Sequence, residues 1–362
     1  MSGSGRADVV FVSHEATRTG APVGLVQLLG WLGEHTDLAV EVVLVEGGPL
    51  EDEFAAAARL RTLDDVLAGP PPRVLFLNSS FSARVLLASS WPGSYVIARV
   101  PELELAFDEA LPDDLRAALL ARADRFVAVA DRVRRHLVEG HGVPAAAVAV
   151  VHGAVPLGHV DVDGAAVAAA RVEAGIPPDA PLVGAVGSRS WRKGADLFLE
   201  LAVELRRRRP DGDTHFLWLG SDDRSWQFGR FADDVARAGL TGTLHLLGDR
   251  PDPAPFQAAL DVFALTSRED PFPRVAIEAA ALGRPVVAFD SGGVEELLAR
   301  AGIGVVPYGD VRALADQTLH WLDHPDEAAA VGERLASAVR EHHTLEVSAP
   351  LVLAEIERGL AA

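Results

Sequence analysis

Short apolar, β-branched runs alternate with stretches of helical periodicity along the first half of the chain. The alternating segments are residues 9–12, 23–32, 40–45, 54–60, 74–77, 95–100, 111–123 and 126–130. Strand, helix and strand at this spacing are typical of a parallel α/β sheet with helices packed on its faces. The pattern therefore predicts one doubly wound domain in this half.

The stretch between residues 150 and 180 interrupts this alternation with Gly, Pro, Asp and other small residues. Such a composition favours an exposed connection, so we interpret it as the link between two domains. The alternation then resumes in residues 182–187, 196–207, 214–219, 229–238, 243–247, 256–260, 261–266, 275–282 and 286–289, followed by helical stretches over 311–341 and 348–360. We therefore predict two doubly wound α/β domains in tandem.

Length, charge and cysteine content narrow the function classes. A chain of 362 residues exceeds the size at which a single core usually stops growing, which agrees with two domains. The net charge of -19 argues against general affinity for nucleic acid or an anionic membrane. The chain has no cysteine, no signal-peptide pattern and no apolar run long enough to span a bilayer, so we expect a cytoplasmic protein without disulfides or thiolate metal sites.

Two carboxylates stand out in residues 267–287, where a predicted strand leads through a loop into a helix. Pro271 and Pro273 fix the loop, and the helix is expected to start near Arg274, where free amides favour a phosphate. Asp270 then lies in the loop, and Glu278 lies about one turn inside the helix. Carboxylates at such different depths suit a long polyhydroxylated ligand with a sugar at one end and a ribose at the other.

This segment resembles the paired-carboxylate signature of the retaining GT-B glycosyltransferases of family four, the glycosyl transferases group 1. The resemblance implies two Rossmann-like domains that face an interdomain cleft and a nucleoside-diphosphate sugar as donor. It assigns Glu278 to the ribose hydroxyls and Asp270 to the donor sugar near its anomeric centre. The family more often has Glu in the first position, and here Asp270 follows Glu269. The intervening donor-binding candidates are Phe272, Pro273, Arg274 and Val275.

The segment 184–196 contains a strand, a glycine turn and a group of cations before a helix, which suits a diphosphate. It is similar to the phosphate-binding turn of the same family, in which an arginine after the glycine and a lysine before the next glycine grip the diphosphate. Lys193 matches the lysine, and Gly187 the first glycine. Ser188 occupies the arginine position, so Arg189, one residue later, is assigned to that role.

Two further stretches resemble parts of the family's donor site. Gly292 and Gly293 follow the last predicted core strand, where paired glycines let the backbone approach a ligand closely. Residues 247–250, which include Gly248 and Arg250, correspond to the stretch that packs against the nucleotide base.

In the first domain, the loop after the first strand faces the expected cleft. By resemblance, Gly20 and Ala21 are candidates for backbone contacts and Arg18 for a phosphate or acceptor contact, with His14 either catalytic or in a supporting position. Family members commonly carry a histidine beside the donor sugar, but Pro101 stands at that position here. Arg99, Glu102 or another group then substitutes for it, or the donor and the chemistry differ.

The resemblance implies an N-terminal acceptor domain over residues 1–160, a C-terminal donor domain over 161–344, and a final helix, about 345–362, that packs back on the first domain. It further implies a metal-independent transfer to a small-molecule or glycan acceptor with no cofactor. Asp161 and Asp163 have the spacing of a metal-binding pair but fall in the presumed linker, so we predict no metal site there. The alternatives are a nucleotide-sugar epimerase or phosphorylase on this fold, and a catalytically silent nucleotide-sugar-binding protein.

Overall fold

Parallel sheets carry the fold of both compact units of the chain. Unit 1 comprises Met1–Pro156 and His343–Ala362, and unit 2 comprises Leu157–His342. The computed structural model describes residues 6–159, 161–210, 213–220 and 230–362. Val160, at the predicted domain boundary, and Gly229, at the start of the predicted helix 229–238, lie outside the described residues.

Unit 1 contains a sheet in the order β3-β2-β1-β4-β5-β6-β7, in which every pair of neighbours is parallel. Its described strands are β1 Val9–Ser13, β2 Val40–Leu44, β3 Arg59–Arg61, β4 Val74–Leu77, β5 Tyr95–Val100, β6 Arg125–Ala128 and β7 Val148–Val150. The helices between them are α1 Gly20–His35, α2 Glu51–Ala57, α3 Leu63–Ala68, α4 Arg84–Ala88, α5 Asp113–Arg122 and α6 Asp131–Arg135, with π-helical turns at Leu105–Ala110 and His136–Gly140. The apolar strands β1 and β4 are fully buried, as expected for inner strands of a parallel sheet that is covered on both faces.

Unit 2 repeats the plan with the sheet order β10-β9-β8-β11-β12, again parallel. Its described strands are β8 Leu182–Val186, β9 His215–Leu219, β10 Leu244–Leu247, β11 Val262–Leu265 and β12 Val286–Ala288. Its described helices are α7 Gly164–Ala174, α8 Ala195–Arg208, α9 Phe231–Arg237, α10 Ala254–Ala258, α11 Arg274–Ala281, α12 Val294–Arg300, α13 Val311–Asp323 and α14 Pro325–His342. The prediction of an α/β fold with two doubly wound sheets is confirmed.

The strand order reverses direction once in each sheet, between β1 and β4 in unit 1 and between β8 and β11 in unit 2. In open α/β sheets, ligands bind outside the carboxyl ends of the strands at such a switch point. The loops that follow these four strands are therefore where each unit is expected to carry its functional side chains.

The last helix, α15 Leu345–Ala361, belongs to unit 1. Val352 and Ile356 join the core of that unit. The guanidinium of Arg125 in β6 donates to both carboxylate oxygens of Glu355, at 2.7 and 3.0 Å, and both side chains are largely buried. A paired charge of this kind fixes the docking of the helix, because removing either partner would leave the other buried alone.

Two expectations about individual elements were wrong. Residues 150–180 are not merely a link, because they contain α7, whose alanine-rich sequence favours a helix. Asp163 caps that helix, since its carboxylate accepts the Ala166 amide at 2.6 Å, which gives this carboxylate a structural use. The helical stretch 311–341 is divided at Pro325 into α13 and α14.

Candidate functional site

At the switch point of unit 2, an ion pair joins the loops that follow β8 and β11. The Nζ atom of Lys193 lies 2.5 Å from Oδ2 of Asp270, and the two side chains are 18% and 8% exposed. Residues separated by 77 positions are thereby brought together. Asp270, predicted to contact the donor sugar, and Lys193, predicted to grip the diphosphate, are thus direct partners.

Glycines at both ends of the loop after β8 determine where Lys193 lies. Gly194 has φ +68°, and a Cβ atom there would lie 2.0 Å from the carbonyl oxygen of Thr266. Gly187 has φ +151°, also a conformation that favours glycine. The loop can therefore press against the residue after β11 only because position 194 carries no side chain.

A second loop contact places Asp270. Its amide donates to the carbonyl of Ser291 at 2.9 Å, and the Gly293 amide donates to the carbonyl of Pro271 at 2.9 Å. The Ser267 hydroxyl also donates to Oδ2 of Asp270 at 3.3 Å. The predicted glycine pair, which includes the buried Gly292, therefore lies directly beside the acidic loop.

Lys193 is chemically unusual within this chain, because it is the only lysine among the 362 residues. Burial lowers its pKa below the ordinary value, while the neighbouring carboxylate of Asp270 acts in the opposite direction. An ammonium carries three donors, and Asp270 uses one of them in this arrangement. The site therefore holds a poorly hydrated cation, whose attraction for a further anion is weakly screened by water, next to a carboxylate that opposes this attraction in part.

The arginines of the same loop are tied into the backbone. Arg189 is buried and donates to the carbonyl of Leu247 at 3.2 Å, which connects it to the stretch predicted to hold the base. Arg192 donates to the carbonyl of Glu269 at 3.0 Å. The Arg192 side chain is half-buried.

The helix α11 begins at Arg274, as the proline-containing loop predicts. Arg274 and Glu278 face each other one turn apart, with Nη2 3.4 Å from Oε1. Phe272 and Pro273 are buried before the helix, and Val275 accepts a hydrogen bond from the Gln257 side chain through its carbonyl at 3.2 Å. Glu278 is 28% exposed, which leaves its carboxylate accessible to a ligand.

The predicted base-binding stretch ends in an arginine with several contacts. Arg250 pairs with Glu173 of α7 at 2.6 Å, and its Nη1 donates to the Gly248 carbonyl at 3.2 Å. Its guanidinium also lies 5.9 Å from the centre of the Phe256 ring. Arg250 thus shapes this turn through its own contacts, whereas the backbone of Gly248 remains the more direct candidate for a base.

The switch point of unit 1 carries a different set of groups. His14, which follows β1, lies 2.8 Å through Nδ1 from the hydroxyl of Ser79, which follows β4. Burial is the main cause that lowers the pKa of His14, and Glu15 and Glu46 oppose it in part. Arg18 is exposed and pairs with Glu53 at 2.8 Å.

Gly20 and Ala21 were expected in the loop before the first helix, but they form the first turn of α1, so their backbone lies at a helix N-terminus. The carbonyl of Ala21 accepts a hydrogen bond from the Asn78 side chain at 2.9 Å. This contact connects the start of α1 to the residue after β4.

The groups near Pro101 are held by the same loop. The buried carboxylate of Glu102 accepts the Ser80 hydroxyl at 2.8 Å, and Arg99 donates to the Asn78 side chain at 3.3 Å. Sequence reasoning missed Asn78, Ser79 and Ser80. The signal that could have found them is the polar run directly after the apolar β4, since strand ends at a switch point collect functional groups.

Among the residues that the structure describes, none of the helices combines the length and apolar character that crossing a bilayer would require. The family model of the glycosyl transferases group 1 matches residues 180–324, which include both loops of the unit 2 switch point. The chain is 31% identical over 209 residues to a D-inositol 3-phosphate glycosyltransferase of Nocardia farcinica, covering 57% of this chain and 45% of that protein. The chain spans about half the length of the curated relatives it matches.

Solved structures with this fold include the Anabaena protein Alr3699/HepE in complex with UDP and glucose, with a TM-score of 0.85, 16% identity and coverage of 98% of this chain and 100% of that one. WaaG, a glycosyltransferase involved in lipopolysaccharide biosynthesis, has a TM-score of 0.75 and 16% identity, covering 96% of this chain and 99% of its own. Identities this low speak for the fold alone. The match to the glycosyl transferases group 1 thus covers residues 180–324 of the chain, and the fold of the chain is that of the GT-B glycosyltransferases.

Proposed function

We propose that this chain is a retaining glycosyltransferase that moves a sugar from a nucleoside-diphosphate sugar to an acceptor hydroxyl without a metal ion. The observation that carries the proposal is the pair of Lys193 and Asp270 at the unit 2 switch point, within the matched residues. Parallel sheets of this kind bind their ligands at that edge. The pair offers a cation for a diphosphate and a carboxylate for sugar hydroxyls.

Lys193 stabilises the charge that grows on the diphosphate as the glycosidic bond breaks. Asp270 holds the ammonium through one of its three protons, and the others remain for phosphate oxygens. Because the ammonium is largely buried, its attraction for the phosphate is less screened by water than that of a surface lysine. An electrostatic contact of this preorganised kind acts mainly on the transition state.

Glu278 binds the ribose, and the N-terminal end of α11 faces the phosphates. The partial positive charge of a helix start favours an anion, and the Arg274 guanidinium lies beside it. A ribose would compete with Arg274 for Glu278, at a distance of 3.4 Å that is longer than a strong charge-assisted hydrogen bond. Support for a uridine nucleotide comes from the UDP bound by the fold neighbour HepE.

Retention requires no protein nucleophile in this proposal. The acceptor oxygen attacks the anomeric carbon on the face from which the diphosphate departs, and the acceptor proton passes to the departing phosphate. The bond between the anomeric carbon and the phosphate oxygen breaks, and its electron pair stays on the phosphate. Unit 1 supplies the acceptor contacts, for which its hydroxyls and the neutral His14 at the switch point are suited.

The lone lysine provides a direct test of donor binding. Protein that incorporates ¹³C-labelled lysine gives one side-chain signal, that of Lys193, because the sequence contains no other lysine. Titration with UDP, GDP and ADP should shift this signal with the cognate nucleotide and raise the pKa of Lys193, since a second anion favours the ammonium. A signal that no nucleoside diphosphate moves contradicts the proposed donor site.

Turnover separates the remaining alternatives. Incubation of the cognate nucleotide sugar with a panel of acceptors should release nucleoside diphosphate and form an α- or β-linked product with the anomeric configuration of the donor. Conversion of the donor without an acceptor would favour an epimerase. Nucleotide binding without turnover on any acceptor would favour the silent binding protein, which Pro101 makes a specific alternative.

A further inference from the structure

A group of metal-binding side chains lies in unit 1, outside the switch-point loops. Asp108, His136 and His141 present one ligand atom each, and all of these atoms lie within 4.8 Å of one another. The Nε2 atom of His141 is 2.9 Å from Oδ1 of Asp108 and 3.3 Å from Nε2 of His136. The Nε2 atom of His136 is 3.4 Å from Oδ2 of Asp108.

These spacings are close to the distances between neighbouring ligand atoms of a tetrahedral metal site. Zinc binds imidazole nitrogen and carboxylate oxygen at about 2.0–2.2 Å, so two ligand atoms at tetrahedral angles lie about 3.3–3.6 Å apart. Two of the three spacings, 3.3 and 3.4 Å, have this length, and the third, 2.9 Å, is shorter. Asp108 approaches His141 with Oδ1 and His136 with Oδ2, so its carboxylate lies between the two imidazole nitrogens. Both histidines turn the same nitrogen, Nε2, toward the carboxylate, so one cation could engage all three groups.

The surroundings hold the two imidazole rings in place. Phe107 is fully buried, and its ring contacts those of His136 and His141 with centroid distances of 5.8 and 4.9 Å. The Arg116 side chain donates to the carbonyl of Asp108 at 3.0 Å and thereby fixes the turn that carries the carboxylate. Side chains held by packing in this way lose little freedom when they bind an ion.

The backbone is also unusual here. Asp108 lies on the π-helical turn Leu105–Ala110, and His136 begins the π-helical turn His136–Gly140. Single π-helical turns occur frequently at functional sites. The side chains of His136 and His141 are 8% and 16% exposed, whereas Asp108 is 38% exposed, so solvent reaches the group from the side of the carboxylate.

We propose that Asp108, His136 and His141 form a tetrahedral binding site for a divalent transition-metal ion of the zinc type, with water as fourth ligand. Two imidazoles and one carboxylate are a donor set that suits zinc, and the chain has no cysteine that could compete for the ion. The ion connects the turn after β5 to the turn after α6. Because it binds the folded state, it stabilises unit 1 in proportion to its occupancy.

The test uses full-length protein without an affinity tag, stripped with a chelator and then titrated with Co²⁺. We expect one equivalent to bind with the visible absorption of four-coordinate Co²⁺, and Zn²⁺ to displace it. Asp108→Asn, His136→Gln and His141→Gln should each weaken binding by more than about tenfold, because losing a ligand costs at least as much as losing a supporting contact. Zn²⁺ should also raise the Tm of the native chain and not that of Asp108→Asn.

His320→Gln is the matched control, because His320 belongs to another close histidine and carboxylate group, with Nε2 3.2 Å from Glu327. This variant should retain the Co²⁺ spectrum and the Zn²⁺ stabilisation. Asp108→Asn keeps the size of the side chain, so it still tests metal binding by this group if a histidine variant fails to fold. Binding unchanged in Asp108→Asn, loss confined to His320→Gln, a six-coordinate spectrum, or no Co²⁺ uptake by the native chain would each overturn the proposal.

Discussion

The two switch points have the same topology and different chemistry. In unit 2 the loops after β8 and β11 meet through charges, the ammonium of Lys193 and the carboxylate of Asp270. In unit 1 the loops after β1 and β4 meet through neutral groups, the imidazole of His14 and the hydroxyl of Ser79. The parallel sheet therefore supplies the position of the loops, while the side chains decide what each edge can bind.

Burial has the same effect on the pKa of the basic side chain at each of the two switch points. It lowers the pKa of both His14 and Lys193, because both bases lose charge when water is removed. Each base also has a carboxylate that favours its charged form, Asp270 at 2.5 Å from Lys193 and Glu15 at the longer distance of 3.5 Å from His14. Under the proposed function, unit 2 binds the anionic diphosphate and unit 1 contacts the acceptor hydroxyl.

Among the variants that test this comparison of the two switch points, Lys193→Ala is expected to have the largest effect. Removing the ammonium should lower kcat about a hundredfold, the size expected for one preorganised electrostatic contact, with a smaller effect on donor binding. Lys193→Arg should recover little, because the planar guanidinium is larger and directed differently. Steady-state kinetics with a melting curve for each variant distinguish lost chemistry from the destabilisation that an unpaired Asp270 causes.

Arg192→Ala is the control for Lys193, since its side chain lies in the same turn and donates to the Glu269 carbonyl. Arg192→Ala should lower kcat less than Lys193→Ala does, and its main effect should be on the stability of the fold. Equal and small effects at both positions would show that this turn is not the phosphate site, and the distinction between a charged and a neutral edge would then lose its functional meaning.

Glu278→Ala should act on binding more than on chemistry. Two ribose hydroxyls would lose a charged acceptor, which costs about 1.5–3 kcal/mol per charge-assisted hydrogen bond. Calorimetric titration with the cognate nucleoside diphosphate measures the loss directly. Glu295→Ala, an exposed acid on α12, is the matched control, and an affinity unchanged in Glu278→Ala would refute the ribose assignment.

The strands of both sheets could be predicted from the sequence because the apolar runs that form them are short, become buried and are separated by segments that contain glycine. The strand that becomes β8 was predicted for residues 182–187 and is observed at Leu182–Val186. The helix α7 was missed because its residues are mostly alanine, which favours a helix yet gives no clear alternation of apolar and polar positions.

The candidate site was predictable where a motif is local and not where it depends on pairing. Lys193 and Asp270 were each identified from their own segments, but no pattern in one sequence indicates that they form an ion pair across 77 positions. No pattern in the sequence indicates either that Asp108 and His141, which lie 33 residues apart, contact each other. Contacts between distant loops come from the strand order, and the strand order follows from the packing of the whole sheet.

A smaller effect is expected from acid at the neutral edge of unit 1. Because burial lowers the pKa of His14 below 6.5 in the folded state, the unfolded chain binds more protons between that lowered value and pH 6.5. Stability should therefore fall as the pH decreases through this window, by at most about 1.4 kcal/mol per pH unit for one group. Urea unfolding of the native chain and of His14→Asn at several pH values measures this loss of stability. His35→Asn, which replaces an exposed histidine, is the control. An equal pH dependence in the native chain and His14→Asn would refute the prediction.

The smallest effect is expected from chelation, because the proposed donor site contains its own cations. Asp270 and Glu278 already pair with Lys193 and Arg274, so an ion bound by either carboxylate would have to displace a positively charged side chain. Initial rates should therefore be unchanged by EDTA when measured below the melting temperature.

The proposed zinc-type site at Asp108 adds a distinct expectation, since EDTA should lower the Tm of unit 1 without slowing turnover, and Zn²⁺ should restore it. Asp108→Asn in EDTA separates the two effects, because it removes the unit 1 site and leaves the donor site intact. Complete loss of activity in EDTA with rescue by Mg²⁺ or Mn²⁺ in both proteins would refute the metal-free reaction, and the positive charge of Lys193 would then be one of two cations at the diphosphate.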